Sequence, residues 1–159
     1  MVARFRMSDL GALSHYLGIE VRQGKEALTL GQSAYASKLL ERSGMAECKS
    51  CVTSMEERLK LTKASTTVKV DATLYRSIVG GLCYLVHTRP DIAFAVGYIS
   101  RFMEDPREDH WVAVKRLLRY VKGTVDQGIV FPKTDGIGEG GAEKSSLLRT
   151  VTATGAGVE

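Results

Sequence analysis

Apolar positions change their period along this chain, and each change predicts an element. Residues 16–21 place Tyr16, Leu17, Ile19 and Val21 in a β-prone run, and residues 27–30 read as the returning strand. Gln23, Gly24, Lys25 and Glu26 between them form the turn of a β-hairpin. Gln32 and Ser33 then open a helix with Tyr35, Ala36, Leu39 and Leu40 at helical spacing, and Gly44 ends it. Over residues 45–70 the period fades while Lys, Ser and Thr accumulate, which predicts a long, exposed connection.

Helical period returns over residues 71–87, with Leu74, Ile78, Leu82 and Leu85 on one stripe. Gly80 and Gly81 within it each cost about 1 kcal/mol relative to Ala, so a close packing partner is expected against them. Thr88, Arg89, Pro90 and Asp91 stop one helix and start the next, Pro90 suiting a first turn and Asp91 the helix dipole. That next helix is expected to run to about Met103. Asp105, Pro106 and Glu108 then supply a cap, an N1 proline and the third position of a capping box. The helix they open ends at Gly123, and residues 128–131 are a short strand candidate. Residues 135–159 are rich in Gly, Ala, Ser and Thr with no aromatic residue, which predicts disorder. The expected fold class is α+β, mainly helical. It comprises an N-terminal hairpin over 7–32, a helix over 33–44, a connection over 45–70, helices over 71–123, a strand over 127–131 and a tail over 132–159.

Composition narrows the class. The 159 residues suit one domain, with 44% hydrophobic and 25% charged positions and a mean hydropathy of -0.06. No apolar run reaches about 18 residues, so no membrane span is expected. Arg4, Arg6 and Asp9 interrupt the N-terminus, which lacks a signal-type apolar stretch, and residence in the cytosol with nuclear access open is expected. Lys and Arg number 22 against 18 acids, an excess that permits nucleic-acid contact without demanding it. Cys48, Cys51 and Cys83 are too few and odd in number for a disulfide scaffold, which fits a reducing compartment.

The side chains that could carry chemistry are dispersed. Cys48 and Cys51 form a Cys-x-x-Cys with no second pair to complete a zinc site, and His15, His87 and His110 show no ligand spacing. Two-metal phosphoryl transfer needs carboxylates converging from a rigid frame. The acidic pairs Glu56–Glu57, Glu104–Asp105 and Glu108–Asp109 lie in a polar connection or at a helix start instead. No catalytic residue, metal ligand or cofactor is therefore expected in this chain. On the helix over 105–123, Ala113, Val114, Leu117, Leu118, Tyr120 and Val121 share one side. Lys115, Arg119 and Lys122 lie opposite, flanked by Arg116. That basic side is either a solvated back or a face that tracks a phosphate backbone, and both readings stay open.

Several ordered motifs bear on that choice. Met7 to Gly11, Tyr16 to Val21, Tyr75 to Leu82, Thr88 to Ile92, then Trp111, Lys115–Arg116, Leu118 to Tyr120 and Lys122 to Thr124 follow one another at fitting distances. Together, over about four-fifths of the chain, they resemble the copia-type retrotransposon reverse transcriptase downstream of its catalytic aspartates. The resemblance implies that residues 7–32 act as a primer grip, with Tyr16, Leu17, Gly18, Ile19 and Glu20 at its heart. It implies that residues 71–123 form the thumb and the start of the connection toward RNase H, with Lys115, Arg116, Arg119 and Lys122 holding a duplex. The implied partners are an RNA/DNA primer–template duplex, held weakly, and the remainder of the reverse transcriptase. The catalytic carboxylates would lie before Met1, so Mg²⁺ is expected only for the intact polymerase and the chain alone is expected to be a Pol polyprotein segment without polymerase activity. Ser50 and Ser54 stand where the family usually has prolines, which loosens the expected connection. The competing expectation is a co-opted helical protein-interaction module without nucleic-acid binding.

The tail departs from the family, which would enter RNase H through a strand like Tyr-Ser-Asp-Ser-Asp-Trp. Codons for residues 149–156 can be chosen so that a shifted frame reads that strand, which suggests a frame lost between Phe131 and Arg149. The genomic DNA over residues 149–156 is expected to encode the aspartate-rich strand in another frame. Sequencing it decides the matter, and codons that do not permit the strand remove the frameshift.

Overall fold

The computed structural model describes residues 11–132. The expected disorder and frameshift of the tail, and the motif before Gly11, lie outside the described residues. The described residues form four strands and four helices: β1 His15–Tyr16, β2 Ile19–Gln23, β3 Ala27–Gly31, α1 Ser33–Arg42, α2 Ala72–Leu85, α3 Ala93–Ser100, α4 Glu108–Gly123 and β4 Ile129–Pro132. A 3-10 turn at Pro90–Ile92 leads into α3. The strands form one antiparallel sheet in the order β1-β2-β3-β4, with Val21 opposite Leu30 and Leu30 opposite Ile129. The mixed α/β class holds, and the expected lone hairpin is the middle of a larger sheet. Pro132, assigned to the tail by its sequence, belongs to β4.

The core lies among the helices. Leu39 and Leu40 of α1, Tyr75, Ile78, Leu82 and Leu85 of α2, Val96 and Ile99 of α3, and Val114, Leu117, Leu118 and Val121 of α4 are all buried. Leu74 was expected on the buried stripe but is 40% exposed, and Tyr75 takes its place with its hydroxyl donating to the carbonyl of Ile99 at 2.9 Å. The Gly80–Gly81 pair is explained by its second member. A Cβ on Gly81 would stand 2.6 Å from Leu39 Cδ1, so α1 packs against bare backbone there.

Two boundaries differ from expectation, the first through competition from distant chain and the second through a local side-chain bond. The helix over 105–123 begins at Glu108, because Asp105 is engaged by Arg107 at 2.8 Å and Lys69 at 3.3 Å. Around it Val70 N–H donates to Pro106 and Glu108 N–H donates to Val68, a bridge that holds the segment extended. The reach-back of a capping box is made by His110, whose Nδ1 accepts from Arg107 N–H at 3.0 Å. Its Nε2 bonds the carbonyl of Thr62 at 3.0 Å, so both ring nitrogens of the buried imidazole have partners. Likewise α3 stops at Ser100 rather than Met103, with the Ser100 hydroxyl donating back to the Val96 carbonyl.

The connection over 45–70 is irregular but not free. Met45, Met55, Leu59 and Leu61 pack on the core, Cys51 N–H donates to the Arg119 carbonyl, and the Tyr98 hydroxyl takes the Leu61 N–H at 3.0 Å. These long-range bonds tether it to α3 and α4, so the connection is exposed along most of its length as its composition predicts, but the expected looseness is corrected to a strap bound along the helices.

A buried ion pair joins the far ends of the bundle. Arg89 is 1% exposed. Its Nε and Nη2 donate to the two carboxylate oxygens of Asp91 at 2.9 and 2.7 Å, and Nη1 and Nη2 donate to the Thr124 carbonyl and hydroxyl at 2.7 and 2.8 Å. Tyr120 donates to Asp91 at 3.0 Å and lies under the guanidinium. Burial alone would raise the Asp91 carboxyl, but the Arg89 bonds and charge and the Tyr120 hydroxyl outweigh it and hold the pKa below its usual value. Arg89→Met strands a buried carboxylate and is expected to cost roughly 3–5 kcal/mol, read from urea unfolding at neutral pH. Because the folded pKa is depressed, the Asp91 contribution is present above the unfolded value of about 3.9 and is lost as pH falls through the folded value. Unfolding midpoints of wild type and Asp91→Asn should therefore converge in acid, and a gap that stays constant with pH would contradict this coupling.

Candidate nucleic-acid interface

The five hairpin residues Tyr16, Leu17, Gly18, Ile19 and Glu20 do not form the single strand expected. Leu17 and Gly18 both have positive φ, 48° and 78°, and reverse the chain between β1 and β2 as a two-residue turn. Tyr16 is 60% and Leu17 75% exposed, so two large side chains project at the tip while Ile19 is half-buried. The tip's backbone is held from behind, where the Tyr84 hydroxyl of α2 donates to the Leu17 carbonyl. Tyr84 is braced edge-on by Tyr35 at 4.8 Å, whose own hydroxyl donates to the Gly81 carbonyl. Gly18 is required twice, by its left-handed φ and because a Cβ would lie 2.7 Å from Tyr84 Oη.

Glu20 has a structural partner. Its carboxylate accepts the Ala34 N–H in the first turn of α1 at 2.8 Å and lies 3.4 Å from Arg22. It thus caps α1 from the neighbouring strand, where helix N-termini favour negative charge. Gln32 precedes the helix without a side-chain cap bond, and its Oε1 instead accepts from the Thr88 hydroxyl at 2.8 Å in the interior.

The four basic residues of α4 do share a face, and that face is occupied. Lys115 reaches Glu108 at 3.4 Å and lies over the Trp111 ring. Arg116 bonds Glu56 at 3.0 Å and the Thr53 hydroxyl at 2.8 Å. Arg119 Nε donates to the Lys49 carbonyl at 2.8 Å, and Lys122 donates to the Ala46 carbonyl. The strap therefore runs along the side expected to face solvent, and all four residues are half-buried. Arg119 and Lys122 meet carbonyl oxygens rather than carboxylates, so their positive charge is held in place without being neutralised.

Among the described residues no three His, Cys, Asp or Glu side chains come together as a metal site. Cys48, Cys51 and Cys83 are free thiols, and the Cys51 thiol faces the Arg116 carbonyl at 3.3 Å. No helix of the described residues is long and apolar enough to cross a membrane.

A family model for reverse transcriptase (RNA-dependent DNA polymerase) matches residues 1–57, which reach from the hairpin through α1 into the strap. The retrovirus-related Pol polyprotein from transposon RE2 of Arabidopsis thaliana is 44% identical over 130 residues, 82% of this chain and 9% of that protein. The corresponding polyprotein from transposon TNT 1-94 of Nicotiana tabacum is 41% identical over 145 residues, 86% of this chain and 11% of its own length. An uncharacterized mitochondrial protein of Arabidopsis thaliana is 41% identical over 130 residues, 81% of this chain and 53% of that protein. No solved structure matches. The chain thus falls in the class of retroelement reverse transcriptases. Within that class it is a relative of the copia-type retrotransposon Pol polyproteins, of whose length it spans about a tenth.

The anchoring of the tip can be measured by a cycle. Gly18→Ala is expected to cost about 1–3 kcal/mol through strain and the clash with Tyr84. Gly18→Ala combined with Tyr84→Phe should recover part of that loss. Strict additivity of the two changes in urea unfolding would show that Tyr84 and Gly18 do not meet.

Proposed function

We propose that this chain is a primer–template-gripping part of a copia-type reverse transcriptase and does not itself join nucleotides. Residues 7–32 serve as the primer grip and residues 71–123 as a thumb-like unit. The observation that carries this reading is the hairpin tip. Tyr16 and Leu17 present exposed surface from a backbone fixed by Tyr84, in a chain related to Pol polyproteins. A grip needs a rigid strand reversal with apolar and aromatic groups turned toward sugar and base, and the tip supplies both. Arg119 and Lys122 support it from α4, because cations bound to carbonyl oxygens still attract phosphates. Glu20 positions the tip by capping α1 rather than by touching nucleic acid.

Binding should be weak, no better than roughly micromolar at physiological salt, and independent of sequence. Tyr16→Ala with Leu17→Asn, a residue that tolerates the left-handed region, should weaken binding to a primer–template duplex without shifting thermal stability. Arg119→Gln with Lys122→Gln should flatten the salt dependence by up to about two counterion units. This pair is also expected to loosen the strap, so folding is checked first by thermal melting. Unchanged affinity in a folded tip variant refutes the grip. Primer extension with Mg²⁺ or Mn²⁺ that survives a contaminant control refutes the non-catalytic part.

A further inference from the structure

A second surface, on α3, is used by neither the hairpin nor the strap-bound face of α4. Phe94 is 79% exposed, and its ring is parallel to that of Tyr98 one turn on, with 6.4 Å between centroids and 6° between planes. Ala93 and Gly97 lie beside the rings without bulk, and with Arg101 they complete a shallow, mainly apolar depression of about 300 Å³. Tyr98 cannot swing away, since its hydroxyl bonds both the Leu59 carbonyl and the Leu61 N–H of the strap. The Arg101 guanidinium lies 5.7 Å from the Tyr98 ring centre. Arg101 and Lys63 together line the adjoining cleft, which also contains Glu104 and Asp105. Asp105 is taken by Lys69 and Arg107, and among the described residues neither Arg101 nor Lys63 has a carboxylate partner.

We propose that this α3 platform binds an unstacked base of a single-stranded nucleic acid. The base lies on the exposed ring of Phe94, which is parallel to the fixed ring of Tyr98, and the flanking phosphates face Arg101 and Lys63. Every base offers a π face, so an aromatic platform beside unpaired cations suits single strands of any sequence. An apolar protein partner would use the rings but has no need of cations left without carboxylates. The platform is separate from the proposed duplex grip, because bases already stacked in a duplex cannot lie on these rings.

The test uses the full chain with two fluorescent probes, a single-stranded oligonucleotide of roughly a dozen nucleotides and a blunt duplex of the same composition. Phe94→Ala should weaken single-strand binding at least about fivefold while leaving duplex affinity and the thermal midpoint unchanged, since Phe94 is exposed. Phe94→Trp should retain binding, with its added indole fluorescence quenched by the single strand. Absence of single-strand binding by the wild type, or equal affinity in wild type and Phe94→Ala, overturns the platform. So does self-association that Phe94→Ala abolishes in a chain that ignores the single strand, which would assign the face to a protein. Loss of duplex binding alone would remove the grip reading and leave the platform standing.

Discussion

The buried guanidinium of Arg89 is the interaction on which the arrangement turns. A charge 99% removed from solvent is tolerable when its donors are matched, and here four bonds go to Asp91 and Thr124. The bonds to Thr124 place a cation at the carboxyl end of α4, where the helix dipole is negative. The bonds to Asp91 fix the 3-10 turn that aims α3. One side chain therefore sets the angle between α3 and α4 and the exit of the chain toward β4. Burial and the Asp91 carboxylate together raise the Tyr120 phenol, so the third member of the cluster stays a neutral donor.

Much of this fold was legible because helical stripes are local. The apolar face of α4, and that of α2 apart from Leu74, follow from spacing, and the demand for a close neighbour at Gly81 follows from the cost of a mid-helix glycine. The start of α4 was misplaced because its apparent cap, Asp105, is claimed by Lys69, a residue far away in sequence. The turn at Leu17 was hidden because leucine rarely takes a left-handed φ, so no local signal marked it. The motifs around Arg89 and Thr124 carried the family resemblance separately, but their meeting in space could not be read from order. His110 was weighed only as a metal ligand, although a histidine three residues past a helix entry can complete a capping box.

The candidate site shows the same division. A helical projection places Lys115, Arg116, Arg119 and Lys122 on one side of α4 but says nothing of what lies against them. An irregular segment has spare carbonyl oxygens that must find donors. The basic face meets that need at Ala46 and Lys49, and it converts a polar linker into a strap. Holding backbone and attracting phosphate are compatible roles for a cation whose partner is uncharged, whereas the Lys115 and Arg116 pairs with carboxylates largely cancel their far field.

The pairing of β4 with β3 bears on the order of folding. Ile129 lies opposite Leu30, so the flank of β3 is covered by chain made about a hundred residues later. Loop closure of that span is entropically opposed until the helices between have collapsed and shortened it. During synthesis the hairpin emerges before β4, with the flank of β3 unpaired, and an open edge can pair with any extended strand nearby. The Tyr84 anchor is also absent until α2 has left the ribosome. Timing thus leaves the hairpin waiting for chain made after it, and the interval is when its unpaired strand is most exposed to strand exchange with its neighbours.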